Sequence, residues 1–199
     1  MFDVKTELHH KLQAARAGVL SKLEGLSEYD MRRPMTGTGT NLLGLVKHLA
    51  GLEYGYLGES FNRPSPEVMS WIEDDSIWEG ADMWATSSES SEYLIGLYGR
   101  ACAHADRTIA ELDLQSPGRV AHWPEDRRDT TLGFLLIRMV AETAQHAGHA
   151  DIVRELIDGY AGPDNAAIGE EAWREYVGRI QTAAESFDED GLQAPKPTG

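Results

Sequence analysis

One apolar stripe with helical spacing, interrupted by three polar residues, most constrains the fold of this chain. Its members are Leu132, Leu135, Met139, Glu142, His146, His149, Val153 and Leu156. At 3.6 residues per turn, positions 142, 146 and 149 lie within about 60° of one another around a helix axis. A carboxylate and two imidazoles on an inward face are costly to bury unless they are paired, hydrogen-bonded or bound to a metal. The sequence therefore predicts a long core helix whose polar cluster, Glu142, His146 and His149, requires a partner.

Three earlier segments also repeat apolar residues at spacings of three and four, which is typical of amphipathic helices. The first is expected to begin after a cap at Asp3, and the second to run from a cap at Thr40 to about Phe61. The third is expected to span about 87–113, after a capping-box pattern that starts at Thr86.

The fourth helix and the chain beyond it set the expected domain organisation. That helix should begin at a cap on Asp129 or Thr130 and end before Gly159, a residue type that suits a helix C-terminus. Residues 1–160 are therefore predicted to form an all-α four-helix bundle with long connections. Residues 161–199 are predicted to hold an accessory helix and an acidic, proline-containing tail.

The net charge and the composition argue against two classes of binding partner, nucleic acids and membranes. The formal net charge is -15, whereas nucleic acids and anionic membranes are bound by clustered cations. No apolar run approaches the roughly 18 residues of a membrane span, and the first residues lack an apolar secretory segment. The single cysteine, Cys102, cannot form an internal disulfide and is expected to be an ordinary buried thiol. We expect a cytoplasmic protein with small-molecule chemistry and no nucleic-acid or membrane partner.

Two connections are long enough to carry function. Residues 62–86 contain Trp71, Trp78 and Trp84, which can line a substrate mouth or pack the loop onto the bundle, and packing is the expectation. The link at 120–128 ends in two adjacent arginines at 127 and 128, which can hold an anionic group or remain solvated.

Histidines on neighbouring helices add a metal-binding hypothesis. His48 lies one residue off the apolar line of the second helix. By itself, such a residue is more often a hydrogen-bonded core histidine, and the Glu-x-x-x-His spacing of Glu142 and His146 is common in solvated pairs. Two or three imidazoles with one carboxylate nevertheless suit zinc or another first-row divalent ion. Three protein ligands leave a fourth position open for chemistry.

Two segments carry a resemblance to a known family. These are residues 41–53, Asn-Leu-Leu-Gly-Leu-Val-Lys-His-Leu-Ala-Gly-Leu-Glu, and residues 142–159, which start Glu-Thr-Ala-Gln-His-Ala-Gly-His. They resemble the two signature helices of the DinB/YfiT-like superfamily, and more narrowly its actinobacterial branch near the mycothiol-dependent maleylpyruvate isomerases and mycothiol S-transferases. The likeness covers roughly residues 4–159.

The resemblance implies a four-helix bundle of the DinB type with a divalent metal near one end. Carried over by position, the ligands are His48, Glu142 and His146. Many members have histidine where this chain has Glu142, whereas the isomerase-like branch has the carboxylate. His149 falls where other members have glutamine. It could be a fourth ligand, a base beside the ligands or a thiol-binding group, and these alternatives stay open.

The resemblance further implies a metal-dependent transferase that uses a low-molecular-weight thiol similar to mycothiol. The metal, zinc by expectation with nickel or iron as alternatives, would bind the sulfur, favour its thiolate and present it to a small electrophile. A thiol-dependent isomerase, a non-catalytic metal-binding or stress-associated bundle, and a plain helical interaction protein are the alternatives. The expected partners are the thiol and the electrophile, and the sequence leaves open a homodimer.

Overall fold

Helices make up nearly all of the regular structure in the computed structural model, which describes residues 3–160, 162 and 169–187. In chain order the described α-helices are α1 (Val4–Ser21), α2 (Glu28–Arg32), α3 (Leu42–Leu57), α4 (Ser70–Glu73), α5 (Ser91–Glu111), α6 (Leu132–Asp158) and α7 (Glu170–Glu185). The chain divides into two compact units after Gly159. The first unit contains α1 to α6, and the second contains α7.

The first unit is a bundle of the four long helices α1, α3, α5 and α6. The α3 helix packs against both α5 and α6, and α1 packs against α6. Apolar side chains from all four helices are almost fully buried between them: Leu12, Val19, Leu45, Leu49, Leu97, Ala101, Leu135, Met139 and Val153. This confirms the all-α, DinB-type helical bundle that the periodicity and the resemblance predicted. No helix within the described ranges is both long and apolar enough to cross a membrane.

A buried ion network ties α1, α3 and α5 together. The Arg16 guanidinium donates to both carboxylate oxygens of Glu53, at 2.7 and 2.6 Å, and to Asp106 at 2.6 Å. The Glu53 side chain is fully buried, and His9 joins the network through Asp106 at 2.8 Å. Buried charges are tolerated when they are paired and hydrogen-bonded in this way, so the network fixes how these three helices are aligned.

The helix ends confirm some of the expected caps and correct others. Asp3 caps α1 by accepting from the Thr6 backbone N–H, and Gly159 ends α6 at φ 75, both as expected. The cap of α3 is Asn41 and not Thr40, since the Asn41 carboxamide accepts from Gly44 N at 2.7 Å. The second helix also ends earlier than expected, at Leu57, before a separate 3-10 turn at Glu59–Phe61.

A small hairpin moves the start of α6 away from the expected caps. Strands β1 (Pro117–Arg119) and β2 (Asp129–Thr131) pair antiparallel, so Asp129 and Thr130 lie in extended backbone. The cap of α6 is Thr131, which accepts from the Phe134 N–H. The expectation of a cap at Asp129 or Thr130 is therefore wrong, because strand pairing holds the chain extended up to Thr131.

The α5 helix begins at Ser91, after a cap at Ser90, rather than near residue 87. The capping-box pair does form, since Glu89 accepts from the Thr86 N–H at 2.8 Å. It closes a turn that precedes the helix and so does not start it. The expected third helix is otherwise present.

The polar cluster of Glu142, His146 and His149 lies beside the buried face of α6 and not on it. Glu142 and His146 are half-buried and His149 is exposed. The buried line passes instead through Thr143 and Ala150, with the half-buried Ala147 between them. A Cβ added at Gly18 of α1 would lie 3.8 Å from the Ala147 Cβ. The expectation of an inward-facing cluster is thus wrong for His149 and only partly met by Glu142 and His146, because small residues let α1 approach the adjacent face of α6.

The second unit contains α7 (Glu170–Glu185), which lies within the range for which the sequence predicts an accessory helix. The expected tail falls mostly on residues 188–199, which lie outside the described residues.

Candidate metal centre

His48 of α3 and His146 of α6 meet where the two helices pack. Their ring centroids lie 5.0 Å apart, with an angle of 73° between the ring planes. Two imidazoles that share one ion through zinc–nitrogen bonds of about 2.0–2.1 Å have a similar separation. The structure therefore brings together two of the sequence-predicted ligands.

Glu142 lies one turn before His146, and its two carboxylate oxygens lie near different residues. Its Oε2 lies 3.9 Å from His146 Nε2, and its Oε1 accepts from Arg138 Nη2 at 3.0 Å. Burial, together with the nearby imidazoles of His48 and His149, lowers the pKa of His146 to about 4, although the Glu142 carboxylate opposes the shift. The His146 imidazole is therefore neutral at neutral pH, which is the protonation state that binds metals.

The three predicted ligands are neighbours, but their side chains do not have the arrangement of a metal site. Among the residues that the structure describes, no three His, Cys, Asp or Glu side chains already have the arrangement of a metal site. One oxygen of Glu142 is engaged by Arg138. The donor types, two imidazoles and one carboxylate, fit a first-row divalent ion with an open position.

Asp82 is a functional candidate that sequence reasoning missed. Its side chain is buried, and its Oδ2 accepts from His48 Nδ1 at 2.6 Å. Metal-binding histidines commonly donate their second ring nitrogen to a carboxylate, which fixes the ring and raises its basicity. Asp82 lies in an irregular connection without periodicity, so the sequence carries no spacing signal that predicts its partner.

The position of Asp82 depends on a close approach between its loop and α3. Asp82 belongs to a 3-10 turn, Ala81–Met83. Asn41, which caps α3, also donates its side-chain amide to the Met83 carbonyl at 3.2 Å. A Cβ added at Gly44 would overlap that carbonyl oxygen. Only glycine at position 44 therefore lets the turn lie this close to His48.

His149 lies beside His146 on the side away from Glu142. The two Nδ1 atoms are 3.4 Å apart, whereas Glu142 is nearest to His146 Nε2. His149 is exposed, whereas His146 is half-buried, and neither of them lines the adjacent cleft. This placement favours contact with the His146 ring over a place among the ligands, and the role of His149 stays a prediction.

A cleft of about 660 Å³ opens from the candidate centre. His48, Asp82 and Glu142 line it, and so do Tyr56 and Trp78. The loop tryptophans thus divide between the two expected roles. Trp78 lines the cleft and is 70% exposed, whereas Trp71 is buried in the core.

The arginine at this cleft is Arg138, whereas Arg127 and Arg128, for which the sequence left anion binding and solvation open, lie elsewhere. Arg128 donates its Nε to the Trp123 carbonyl, and neither residue lines the cleft. The guanidinium of Arg138 lies 4.9 Å from the Tyr56 ring centroid. Its spacing of four residues before Glu142 was the sequence signal that could have identified it.

Cys102 has no features of a reactive thiol. It is half-buried, and burial raises its pKa to about 12, with the nearby Glu53 carboxylate adding to the shift. A thiolate is the nucleophilic form, so this residue remains inert at neutral pH. A thiol reaction in this protein therefore needs sulfur from a bound co-substrate.

Comparison with known proteins identifies the family. No curated protein matches the chain. A solved structure described as a conserved protein from Enterococcus faecalis matches with a TM-score of 0.61 and 13% sequence identity, over 80% of this chain and 100% of that one, which supports the fold. The sequence model of the mycothiol-S-transferases matches residues 7–159, which include both signature helices. The chain therefore belongs to the mycothiol-S-transferase family.

Proposed function

We propose that this protein is a divalent-metal-dependent transferase that activates mycothiol, or a closely similar thiol, for attack on a small electrophile. Family membership implies a transferase that uses mycothiol. The observation that carries the metal dependence is the 5.0 Å approach of the His48 and His146 rings beside Glu142, at a cleft large enough for a small molecule.

The metal would be held by His48, Glu142 and His146. Two imidazoles and a carboxylate suit zinc, and nickel or iron accept similar donors. When bound, such an ion supplies a Lewis acid that favours the thiolate form of a coordinated thiol.

Two further side chains would orient these ligands. Because the Asp82 carboxylate accepts from Nδ1 of His48, the lone pair of that ring is on Nε2. Arg138 holds one oxygen of Glu142 and leaves the other on the His146 side. Both contacts restrict side-chain rotation, which lowers the entropy that is lost when the ligands converge.

The protein's own cysteine does not compete for this role. The raised pKa of Cys102 keeps it protonated, and the cleft is lined by other residues. The sulfur that reacts would therefore belong to the co-substrate. Its thiol proton would pass to solvent before the sulfur bonds to the electrophile, which would then expel a leaving group with its electron pair or, in an addition to a double bond, take up a proton from solvent.

Metal content and thiol consumption, measured on one preparation, test the proposal. We expect protein purified without chelator to contain a stoichiometric divalent metal and to consume mycothiol with members of a panel of small electrophiles. His48→Ala and His146→Ala should lose both properties, and His149→Ala should lose less. His10→Ala, which alters an exposed histidine outside the site, is the matched control.

Other results would support the alternatives. A metal-loaded protein that consumes no thiol with any electrophile would indicate a non-catalytic metal-binding bundle. Thiol-dependent rearrangement of a substrate without net thiol consumption would indicate an isomerase. Wild-type protein that binds no divalent metal but still conjugates mycothiol would overturn the metal dependence.

A further inference from the structure

The cleft extends away from the candidate metal centre along α3 and α6. His48 lies near His146, and Tyr56 lies near Arg138, so residue numbers rise along α3 while they fall along α6. The two helices are therefore antiparallel, and the groove between them has two distinct ends. At 1.5 Å per residue, Tyr56 lies roughly 12 Å from His48 along the axis of α3. A ligand whose sulfur lies at the metal end would extend its body toward Tyr56.

Aromatic rings form the wall of this second end. The Trp78 and His122 ring centroids lie 6.1 Å apart with an edge-on orientation, and Tyr56 lies 5.9 Å from His122. The Trp78 side chain is 70% exposed. Because the two rings are not stacked face to face and Trp78 is mostly exposed, much of its indole surface remains available to the C–H bonds of a ligand ring.

One residue of the cleft lining is a glycine, which contributes no side chain to the cleft. Gly55 lines the cleft in the last turn of α3, and a Cβ added there would have no heavy atom within 4 Å. Glycine within a helix is less stable than alanine by roughly 0.5–1 kcal/mol. Protein packing does not require this glycine, so the open space that it preserves is available to a ligand.

The charge of the cleft is negative. Its lining contains four carboxylates, those of Glu59, Asp75, Asp82 and Glu142. Arg138 is the one lysine or arginine among the described lining residues, and it is already paired with Glu142. Burial and Arg138 lower the pKa of His122, so this imidazole adds no positive charge at neutral pH. No unpaired cation of this lining is therefore available to a ligand carboxylate or phosphate.

Asp75 and Glu59 are exposed and lie at the aromatic end, since the Asp75 carbonyl accepts from the Trp78 backbone N–H at 3.1 Å and Glu59 acts electrostatically on His122. Asp75 is one of two non-glycine residues with a left-handed backbone among the residues described, at φ 61. Such conformations are uncommon outside glycine and occur often at ligand sites. Carboxylate oxygens accept hydrogen bonds from hydroxyl groups and repel other anions.

We propose that Trp78, Asp75 and Glu59 form a specificity subsite that takes an uncharged, polyhydroxylated ring of the thiol co-substrate and discriminates against thiols with anionic bodies. The ring would stack on Trp78 and donate hydroxyl hydrogen bonds to the two carboxylates. This proposal depends on the proposed function for one point only, namely that the ring in the subsite belongs to a thiol.

Ligand-observed NMR with a thiol-free probe tests the subsite without turnover. Mycothiol carries its cysteine on a glucosamine–inositol pair, and the N-acetylated form of that pair, without cysteine, is an uncharged probe. We expect wild-type protein to bind the probe and Trp78→Ala to weaken binding by about tenfold or more, as is common for a central tryptophan contact. Trp84→Ala is the matched control, because Trp84 is also exposed but lines a different cavity.

A graded pair at Gly55 tests the location of the probe. A Cβ at position 55 meets no protein atom, so we expect Gly55→Ala to remain folded, and thermal melting identifies whether Gly55→Leu does as well. Gly55→Leu should abolish probe binding, and Gly55→Ala should reduce it less. Equal probe binding by wild-type, Trp78→Ala and Gly55→Leu proteins would overturn the subsite.

Competition with glutathione tests charge selection. We expect glutathione to displace the probe poorly from wild-type protein, and Asp75→Asn with Glu59→Gln to improve its relative affinity by about tenfold at low salt, since salt screens exposed charges. Glu73→Gln, an exposed carboxylate outside the cleft, is the control. Wild-type protein that binds glutathione as well as the neutral probe would overturn charge selection.

Different results would reject the subsite and the transferase proposals. Probe binding that requires Trp78, in a protein that conjugates no thiol, would retain the subsite and reject the transferase. Thiol conjugation by a protein that does not bind the probe would retain the transferase and reject the subsite.

Discussion

The Asp82 carboxylate and Nδ1 of His48 are joined by a hydrogen bond of 2.6 Å. This contact links the irregular connection after α3 to the helix that carries the first predicted metal ligand. Because an ionised carboxylate can only accept, it selects the His48 tautomer with its lone pair on Nε2. The loop therefore decides which ring nitrogen is available for a metal.

Replacement of Asp82 should weaken metal binding without removing a ligand. We expect Asp82→Ala to lower zinc affinity by about 10–100-fold, the usual effect of losing a carboxylate behind a ligating histidine. Asp82→Asn, which can still accept a hydrogen bond, should lose less. Titration calorimetry on the metal-free protein measures the difference, with Glu73→Gln as the control. An unchanged affinity in Asp82→Ala would show that the contact does not orient the ligand.

Gly44→Ala should also weaken metal binding, although Gly44 is not a predicted ligand. The added methyl would overlap the Met83 carbonyl, so the Ala81–Met83 turn must shift and carry Asp82 with it. Overpacking of this kind costs about 1–3 kcal/mol in unfolding free energy, and we also expect lower zinc affinity. Denaturant unfolding and calorimetry measure the two effects. Gly99→Ala, on an open face of α5, is the control and should be stabilising. Wild-type zinc affinity in Gly44→Ala would argue against coupling between the turn and His48.

Removing Arg16 should destabilise the bundle strongly. It would leave the buried Glu53 carboxylate without its bidentate partner, and breaking such pairs costs about 3–5 kcal/mol. Urea unfolding monitored by circular dichroism gives the change in unfolding free energy. Arg119→Ala breaks an exposed pair with Asp129 and should have little effect, because solvent screens that interaction. Equal losses for the two variants would mean that the buried network does not hold the helices together.

Cys102 should be dispensable for thiol transfer. Since burial raises its pKa to about 12, the folded protein keeps it protonated through the pH range in which free cysteines react. We expect iodoacetamide to label Cys102 slowly at pH 8 in the folded protein and quickly after denaturation. Cys102→Ala should retain conjugation activity. Loss of activity in a folded Cys102→Ala protein would assign the nucleophile to the chain itself.

Sequence predicted the features that short segments determine. The helical spacing that identified α6 and its end at Gly159 depends on neighbouring residues, as does the cap at Asp3. The proximity of His48 and His146 followed from a family resemblance. Helical spacing by itself places each residue on a helix face but does not indicate which helices meet.

Features that depend on distant segments could not be predicted. The cap at Thr131 follows from pairing with a strand that begins at Pro117. Small residues on α6 and Gly18 on α1 together determine which face of α6 is buried, and neither segment specifies this by itself. Asp82 reaches His48 through a turn that Gly44 admits, so its role is visible only once the chain is folded.

The visible absorption spectrum of the cobalt(II)-loaded protein, recorded as mycothiol is added, is the most direct test of thiol activation at this centre. Cobalt accepts donor sets similar to those of zinc and reports its ligands through its absorption. We predict that a sulfur-to-cobalt charge-transfer band appears with mycothiol in the wild-type protein, and that His146→Ala, which should not retain the ion, lacks it. A protein that demonstrably holds cobalt at this site, and whose spectrum stays unchanged at saturating mycothiol, would contradict metal activation of the thiol.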